Sequence, residues 1–276
     1  MRSHSRACWQ SRRGDFTCSC SITTMNTSTS GGRNEQGNQV CRMRGHEMTA
    51  KEIRFTGTPE EISKAWHAQR DKGVGGSDVG VIIGVNHWKT ISQLWREKTG
   101  RVKPEDISHK PAVILGNCVE SALRKEYAYR HPDVKVEEPQ YMLQDDRHPW
   151  RQASLDGVLT YEDGRKEVLE IKTVGLPSAK CWEPDTVPIS YVCQVLHYMA
   201  VSGCRRAQLI AMIGNSRIIE RSVERDELLI EMIEDAVDEF WNHVQTDTPP
   251  VRHNPTAEFK ERVNRVCYDP DNIPLF

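Results

Sequence analysis

Hydrophobic positions along the chain fall into two regimes that meet near residue 48. Up to that point Ser, Thr, Arg, Asn and Gly dominate, and apolar residues do not recur at a helical or strand spacing. Such a stretch buries too little surface to offset its ordering entropy. Residues 1–48 are therefore expected to be a disordered or over-extended N-terminal segment, with Met25 and Met48 as alternative starts. Beyond it, periodic segments follow one another closely. Residues 59–70 read as a helix, with Thr58 as N-cap and Pro59 at its first position. The glycine turn Gly73-Val74-Gly75-Gly76 leads through Ser77-Asp78 into an apolar run ending at Ile83. Further helices are predicted over 90–99, stopped by Gly100, over 111–130, over 188–202 before Gly203, and over 224–245. Strand character marks 134–161 and 167–174 around a hairpin turn at 162–165, and again 206–213 and 216–223 around Gly214-Asn215. Helices flanking a central mixed sheet make this an α/β or α+β domain over 49–250, followed by a tail over 251–276.

Composition narrows the class without naming a chemistry. Of 276 residues 37% are hydrophobic and 28% charged, as in an ordinary soluble globular chain. No apolar run approaches the ~20 residues of a membrane span, and no secretory leader is recognisable, so a cytoplasmic location is expected. A net charge of −2 argues against a protein that coats DNA non-specifically, while leaving room for positive charge concentrated in a channel. Nine cysteines, at 8, 18, 20, 41, 118, 181, 193, 204 and 267, are scattered and contain no C-x-x-C pair. That spacing disfavours zinc and iron–sulfur sites and suits reduced, mostly apolar thiols.

Candidate chemistry concentrates in Ser154-Leu155-Asp156-Gly157 and Val168-Leu169-Glu170-Ile171-Lys172. Residues two apart in a strand share a face, so Glu170 and Lys172 point one way, with Leu169 and Ile171 opposite them in apolar packing. The hairpin folds Asp156 back beside Glu170. Two carboxylates and an ammonium then meet at a sheet edge, a workable centre for magnesium-assisted phosphodiester hydrolysis. A surface hairpin laced by salt bridges has the same residues. On the helix over 111–130, Glu120 interrupts a stripe of Val113, Gly116, Leu123 and Tyr127; burial of such an acid calls for a metal or for a buried arginine partner. Gln194 and Tyr198 stand one turn apart on the helix over 188–202, opposite Val192, Leu196, Met199 and Ala200, either as site groups or as an exposed polar face. Trp66, Trp88 and Trp95 read as core residues.

Taken in order, these motifs resemble the lambda-exonuclease-like family, specifically the YqaJ-type viral recombinase nucleases of the PD-(D/E)XK superfamily. The matching residues are Trp66-His67-x-x-Arg70, Gly73 to Asp78, Leu94-Trp95-x-x-Lys98-Thr99-Gly100, Gly116-x-x-x-Glu120, Ser154-x-Asp156-Gly157, Glu170-Ile171-Lys172 and Gln194-x-x-His197-Tyr198-Met199. They span about residues 55 to 250; Leu155 stands where the superfamily name has proline. The resemblance implies a restriction-endonuclease-like core. It implies Mg2+, with Mn2+ as a substitute, held by Asp156, Glu170, the backbone carbonyl of Ile171 and, through water or a second ion, Glu120. Lys172 would position or activate the water, and Gln194 would hold Lys172 or the nucleophile. Arg70 and Ser77 would bind a 5′-terminal phosphate, with Tyr198 beside them; a guanidinium fork and a glycine turn entering a helix both suit an anion.

The implied activity is a 5′-to-3′ exonuclease on linear double-stranded DNA that leaves 3′ single strands for phage-type recombination. A homo-oligomeric ring, possibly a trimer, and a single-strand annealing protein would be its partners. Rival expectations are an endonuclease or single-strand nuclease with the same centre, a non-catalytic DNA-binding subunit, and an iron–sulfur nuclease of the RecB type, which the scattered cysteines oppose. The C-terminal Asp269 to Phe276 resembles the acidic tail of single-strand DNA-binding proteins, apart from Leu275 before Phe276, and reads equally as an ordinary terminus.

Overall fold

In a computed structural model of the chain, residues 50–268 are described, apart from His87, residues 183–185 and His253. The expectations for residues 1–48 and for the C-terminal Ile-Pro-Leu-Phe lie outside them. Strand β1 (Ala50–Arg54) opens the fold, and helix α1 (Pro59–Arg70) follows. Thr58 and Glu61 close a reciprocal capping box at the start of α1, where Pro59 loses no hydrogen bond by lacking an N–H. Then come α2 (Gly76–Ile82), α3 (Ile91–Lys98) and the long α4 (Pro111–Arg130). The predicted strand region 134–161 divides into four short strands, β2 (Lys135–Glu137), β3 (Tyr141–Asp145), β4 (Gln152–Ala153) and β5 (Gly157–Thr160). They belong to two different sheets. After β6 (Lys166–Val174) and a 3-10 turn at Leu176–Trp182, α5 (Ile189–Ser202) crosses to β7 (Arg206–Ile213), which turns into β8 (Arg217–Glu224).

The helix predicted from residue 224 begins later, as α6 (Glu227–Gln245), because Asp226 caps it by accepting the Leu229 N–H and Glu224 finishes β8. Within the expected tail, residues 257–268 are instead built into the fold. Helix α7 (Ala257–Arg265) buries Phe259 and Val263, and β9 (Cys267–Tyr268) pairs with β8. The signal was there in Thr256 as N-cap and in the four-residue spacing of Phe259 and Val263.

The larger sheet runs β2-β5-β6-β7-β8-β9, antiparallel throughout except for β6 and β7, which are parallel and joined by the α5 crossover. β1, β3 and β4 form a separate antiparallel sheet. Alternation along β6 sorts its side chains by face as the sequence predicts. Val168 and Val174 enter the main core with α5, whereas Leu169 and Ile171 join Leu123 and Tyr127 of α4, with Leu159 and Ile210. Glu170 and Lys172 thereby face α5. That helix is buried along its whole middle, from Val192 to Val201, so its polar side chains project into the interior. Gly203, at φ 75, ends it in the left-handed conformation that glycine adopts without strain. Trp95 is buried as expected, but Trp66 is half-buried, and Trp88 stands 92% exposed in the loop after α2.

Candidate active site

Asp156 lies just before β5, where the hairpin to β6 begins. Its carboxylate accepts the Ile171 N–H at 2.9 Å, so the strand that carries Glu170 and Lys172 fixes the aspartate's position. The N–H and C=O of one strand residue point to the same side, so the Ile171 carbonyl also faces Asp156. Glu170 is fully buried. Its Oε1 takes the Lys172 ammonium and, at 2.6 Å, the Gln194 amide, while its Oε2 has no partner. Gln194 also donates to the Tyr198 hydroxyl at 3.1 Å. Gln194 thus grips the carboxylate that carries Lys172, not Lys172 itself. It is a buried group and not an exposed polar face.

Electrostatics in this cluster follow from burial and crowding. Burial raises the pKa of Asp156 despite Lys172, the Ile171 N–H and Arg124. Burial and then Asp156 push Glu170 up to about 8, against the pull of Lys172. Burial alone would lower Lys172, but Glu170 and Asp156 outweigh it and hold the ammonium raised and charged. The Tyr191 ring lies 4.9 Å from Lys172 Nζ and covers it. Glu120 is half-exposed and raised by burial and by Asp156. Arg124 anchors this side. It donates to the Asp156 carbonyl at 2.8 Å, to Glu138 at 2.8 Å and to Glu120 at 2.6 Å. A buried arginine one turn from Glu120 is therefore present alongside the carboxylate pair.

Among the described residues no group of three or more His, Cys, Asp or Glu side chains stands ready to hold an ion. The fit for a divalent cation rests on the two carboxylates of Asp156 and Glu170 and on the unpartnered, buried Glu170 Oε2, an oxygen that a cation would satisfy. Magnesium suits such a set, because it keeps several waters and takes few protein carboxylates.

A second corner lies across α2. Arg70 at the end of α1 donates to the Ser77 hydroxyl and approaches Asp78 at 3.5 Å. Asp78 also takes Lys98 at 3.3 Å and the Gly75 N–H at 3.2 Å, so that one N–H of the glycine turn is spent inside the protein. Trp66 stacks under the Arg70 guanidinium at 5.4 Å and reaches the Ser154 hydroxyl at 3.2 Å. Gly76 joins the corners. A Cβ on it would meet the Tyr198 ring and, at 2.9 Å, Gln194 Cγ, so the glycine lies directly against Gln194, which donates to Glu170, and Tyr198, which accepts from Gln194. His197, on the same helix, is buried and bonds the Gln152 carbonyl at 3.0 Å. Sequence reasoning missed Arg124, Tyr191 and the buried Lys98 contact; of these, only Lys98 sat in a motif.

Comparison with known proteins extends the picture. The model of the family described as YqaJ-like viral recombinase domain matches residues 65–205. The chain is 36% identical over 198 residues to the uncharacterized protein YqaJ of Bacillus subtilis (strain 168), covering 71% of this chain and 60% of that protein. It therefore spans about 60% of that relative's length. Among solved structures it is similar to an alkaline exonuclease (LHK-Exo) from Laribacter hongkongensis, at 19% identity and a TM-score of 0.51, over 67% of this chain and 93% of that one. The same exonuclease in complex with dAMP superposes with a TM-score of 0.53 at 18% identity, over 67% and 93% of the two chains. These likenesses show a shared fold.

Proposed function

Because the chain belongs to the YqaJ-like viral recombinase family, we propose that it is a Mg2+-dependent exonuclease acting 5′-to-3′ on linear double-stranded DNA and leaving 3′ single strands for recombination. The observation that carries this reading is the meeting of Asp156, Glu170 and Lys172 at the β5–β6 hairpin, with one buried carboxylate oxygen left unpartnered. Asp156 and Glu170, with the Ile171 carbonyl, are the groups that would hold the cation, and Mn2+ fits the same oxygens. A bound divalent cation would neutralise charge on the phosphate under attack and lower the pKa of a water. Lys172, kept charged by its two acidic neighbours, orients the attacking water and a phosphate oxygen through hydrogen bonds. Gln194, itself bonded to Tyr198, holds Glu170 in place, and Glu120 is kept beside Asp156 by Arg124. Arg70 and Ser77 supply the fork and hydroxyl that suit the 5′-terminal phosphate.

The similar protein from Laribacter hongkongensis is an alkaline exonuclease, and its activity supports the reading here. A homo-oligomeric ring, in trimeric form, and a single-strand annealing protein complete the proposal; positive charge lining a ring would let a chain of net charge −2 retain DNA. No helix among the described residues is long and apolar enough to cross a membrane; the cytoplasm is the proposed place of action. The test is Mg2+-dependent nucleotide release from 5′-phosphorylated linear duplex against a closed circle, with wild type and Asp156→Ala. Release from the linear form alone, abolished by the substitution, is the expected result. Cutting of the circle would replace exonuclease with endonuclease, and inactivity of the wild type on both would refute the proposal.

A further inference from the structure

Lys98 is a buried cation that the hydrolytic centre does not use. Its side chain is only 6% exposed, on the last turn of α3. Burying an ammonium is costly unless it is paired and fully hydrogen-bonded, so its partners show what it is for. Nζ donates to the backbone carbonyl of Arg70 at 2.9 Å and approaches Asp78 Oδ2 at 3.3 Å. Asp78 in turn reaches the Arg70 guanidinium with its other oxygen, at 3.5 Å, and takes the Gly75 N–H. Lys98 and Asp78 therefore hold Arg70 at both ends, at its backbone and at its side chain.

Charge accounting separates this arrangement from a simple structural bridge. Two cations, Arg70 and Lys98, share one carboxylate, so the corner keeps an uncompensated positive charge. Lys98 is sequestered at 6% exposure, whereas the Arg70 side chain is 27% exposed. The excess charge thus meets solvent through Arg70, beside the Ser77 hydroxyl. Without Lys98, Asp78 would neutralise Arg70 and the corner would lose its attraction for an anion.

We propose that Lys98 and Asp78 are positioning residues that set the preference for a 5′-phosphorylated end, Asp78 by aiming the Arg70 guanidinium and Lys98 by cancelling the charge of Asp78. The inference rests on the reading of Arg70 and Ser77 as the terminal-phosphate site. The test compares KM and kcat on linear duplexes bearing a 5′-phosphate or a 5′-hydroxyl, for wild type, Lys98→Met, Lys98→Arg and Lys98→Gln. The expected result is a wild-type KM lower for the phosphorylated end, a ratio that falls at least about fivefold in Lys98→Met, and recovery in Lys98→Arg, a pattern a purely structural role would not give. Should Lys98→Met fail to fold, Lys98→Gln carries the comparison, because it drops the charge yet keeps a donor for the Arg70 carbonyl, with the same collapse of the ratio expected. A wild-type ratio retained in Lys98→Met or, in that case, in Lys98→Gln overturns the inference. A wild type indifferent to the terminal phosphate overturns instead the reading on which it rests.

Discussion

Gly76→Ala adds one methyl group and no charge, yet it strikes the contact that joins the two halves of the site. The new Cβ would lie 2.7 Å from Tyr198 Cζ and 2.9 Å from Gln194 Cγ. Ordinary contact begins at 3.4 Å and the Tyr198 Cε1 atom lies closer still than Cζ, so the ring must retreat by more than about 0.7 Å, the difference between 3.4 Å and 2.7 Å. Tyr198 and Gln194 are buried on a helix packed on all sides, and neither is a flexible surface side chain. Overpacking of this kind costs about 1–3 kcal/mol. At ~2–4 °C per kcal/mol for a domain of this size, the thermal midpoint should fall by roughly 2–12 °C. The functional effect should be larger than the loss of stability. Tyr198 and Gln194 move together with the hydrogen bond that fixes Glu170. A misplacement on the order of 1 Å at such a group can cost about 10²-fold in rate. Nucleotide release from linear duplex, measured well below the midpoint, should therefore drop about 10²-fold in a protein that remains folded. A Gly76→Ala enzyme with wild-type turnover would refute the argument that α2 and α5 are in contact through this glycine.

Glu170→Gln keeps shape and removes charge. Activity should fall by about 10³-fold or more, since the interaction lost is worth several kcal/mol. Its stability profile should move the other way. The folded pKa of Glu170, about 8, lies above its ordinary value of 4.5. The stability this confers is present below 4.5 and lost as pH rises through 8. Metal-free wild type should lose thermal stability across that window, and the glutamine variant should lose less. His197 has the opposite sign. Burial pushes its pKa from 6.5 down to about 4, so the unfolded chain takes up its proton first and stability falls as pH drops from 6.5 to 4. The loss should approach ~3 kcal/mol, and His197→Asn should remove that part of the acid sensitivity in a pH series of denaturation midpoints. Chelation should abolish nucleotide release, with return on adding Mg2+ or Mn2+. Mg2+ at 100 times its Kd should raise the stability of the folded protein by about 2.7 kcal/mol, and an unchanged midpoint with saturating Mg2+ would count against Asp156 and Glu170 as its ligands.

Legibility in the sequence tracked how local the determining interaction is. The cap of α1, the stop of α3 at Gly100, the hairpin at 162–165 and the face-sorting of β6 depend on neighbours within a few residues, and all were readable. The placing of β3 and β4 in a second sheet with β1 was not. Ala50–Arg54 pairs with Tyr141–Asp145 across almost ninety intervening residues, and the alternation of each strand is silent about its partner. Asp156, Glu170 and Lys172 came together because one hairpin carries them all. Gln194 was ambiguous because a polar residue on a helix reads alike whether it faces solvent or a buried carboxylate. Arg124 escaped notice for the converse reason. An arginine four residues from a glutamate suggests an exposed ion pair, and only tertiary packing shows it reaching the Asp156 carbonyl. Trp88 failed as a core residue because hydrophobicity alone carries no information about burial in a loop.

The two corners of the site have opposite polarity, and this bears on how a chain of net charge −2 handles a polyanion. Around β5 and β6, Asp156, Glu170, Glu120 and Glu138 face Lys172 and Arg124, so acids outnumber bases. That excess repels phosphate until a cation is shared between them. Around α2, Arg70 and Lys98 outnumber Asp78. That excess attracts phosphate with no cation at all. Gly76, in contact with Tyr198 and Gln194, separates the two by the thickness of a side chain. On the proposed reading, a nucleic-acid strand satisfies both corners when a terminal phosphate enters the positive one and a neighbouring phosphate shares a divalent ion at the negative one. Internal phosphates of an uninterrupted duplex offer no end to the first corner. On the proposed reading, discrimination for ends arises from this local charge arrangement, apart from the basic channel of a ring that would retain the duplex. The preference for a phosphorylated end should consequently depend on ionic strength less steeply than affinity for the duplex itself, which a ring lined with positive charge would draw from many phosphates.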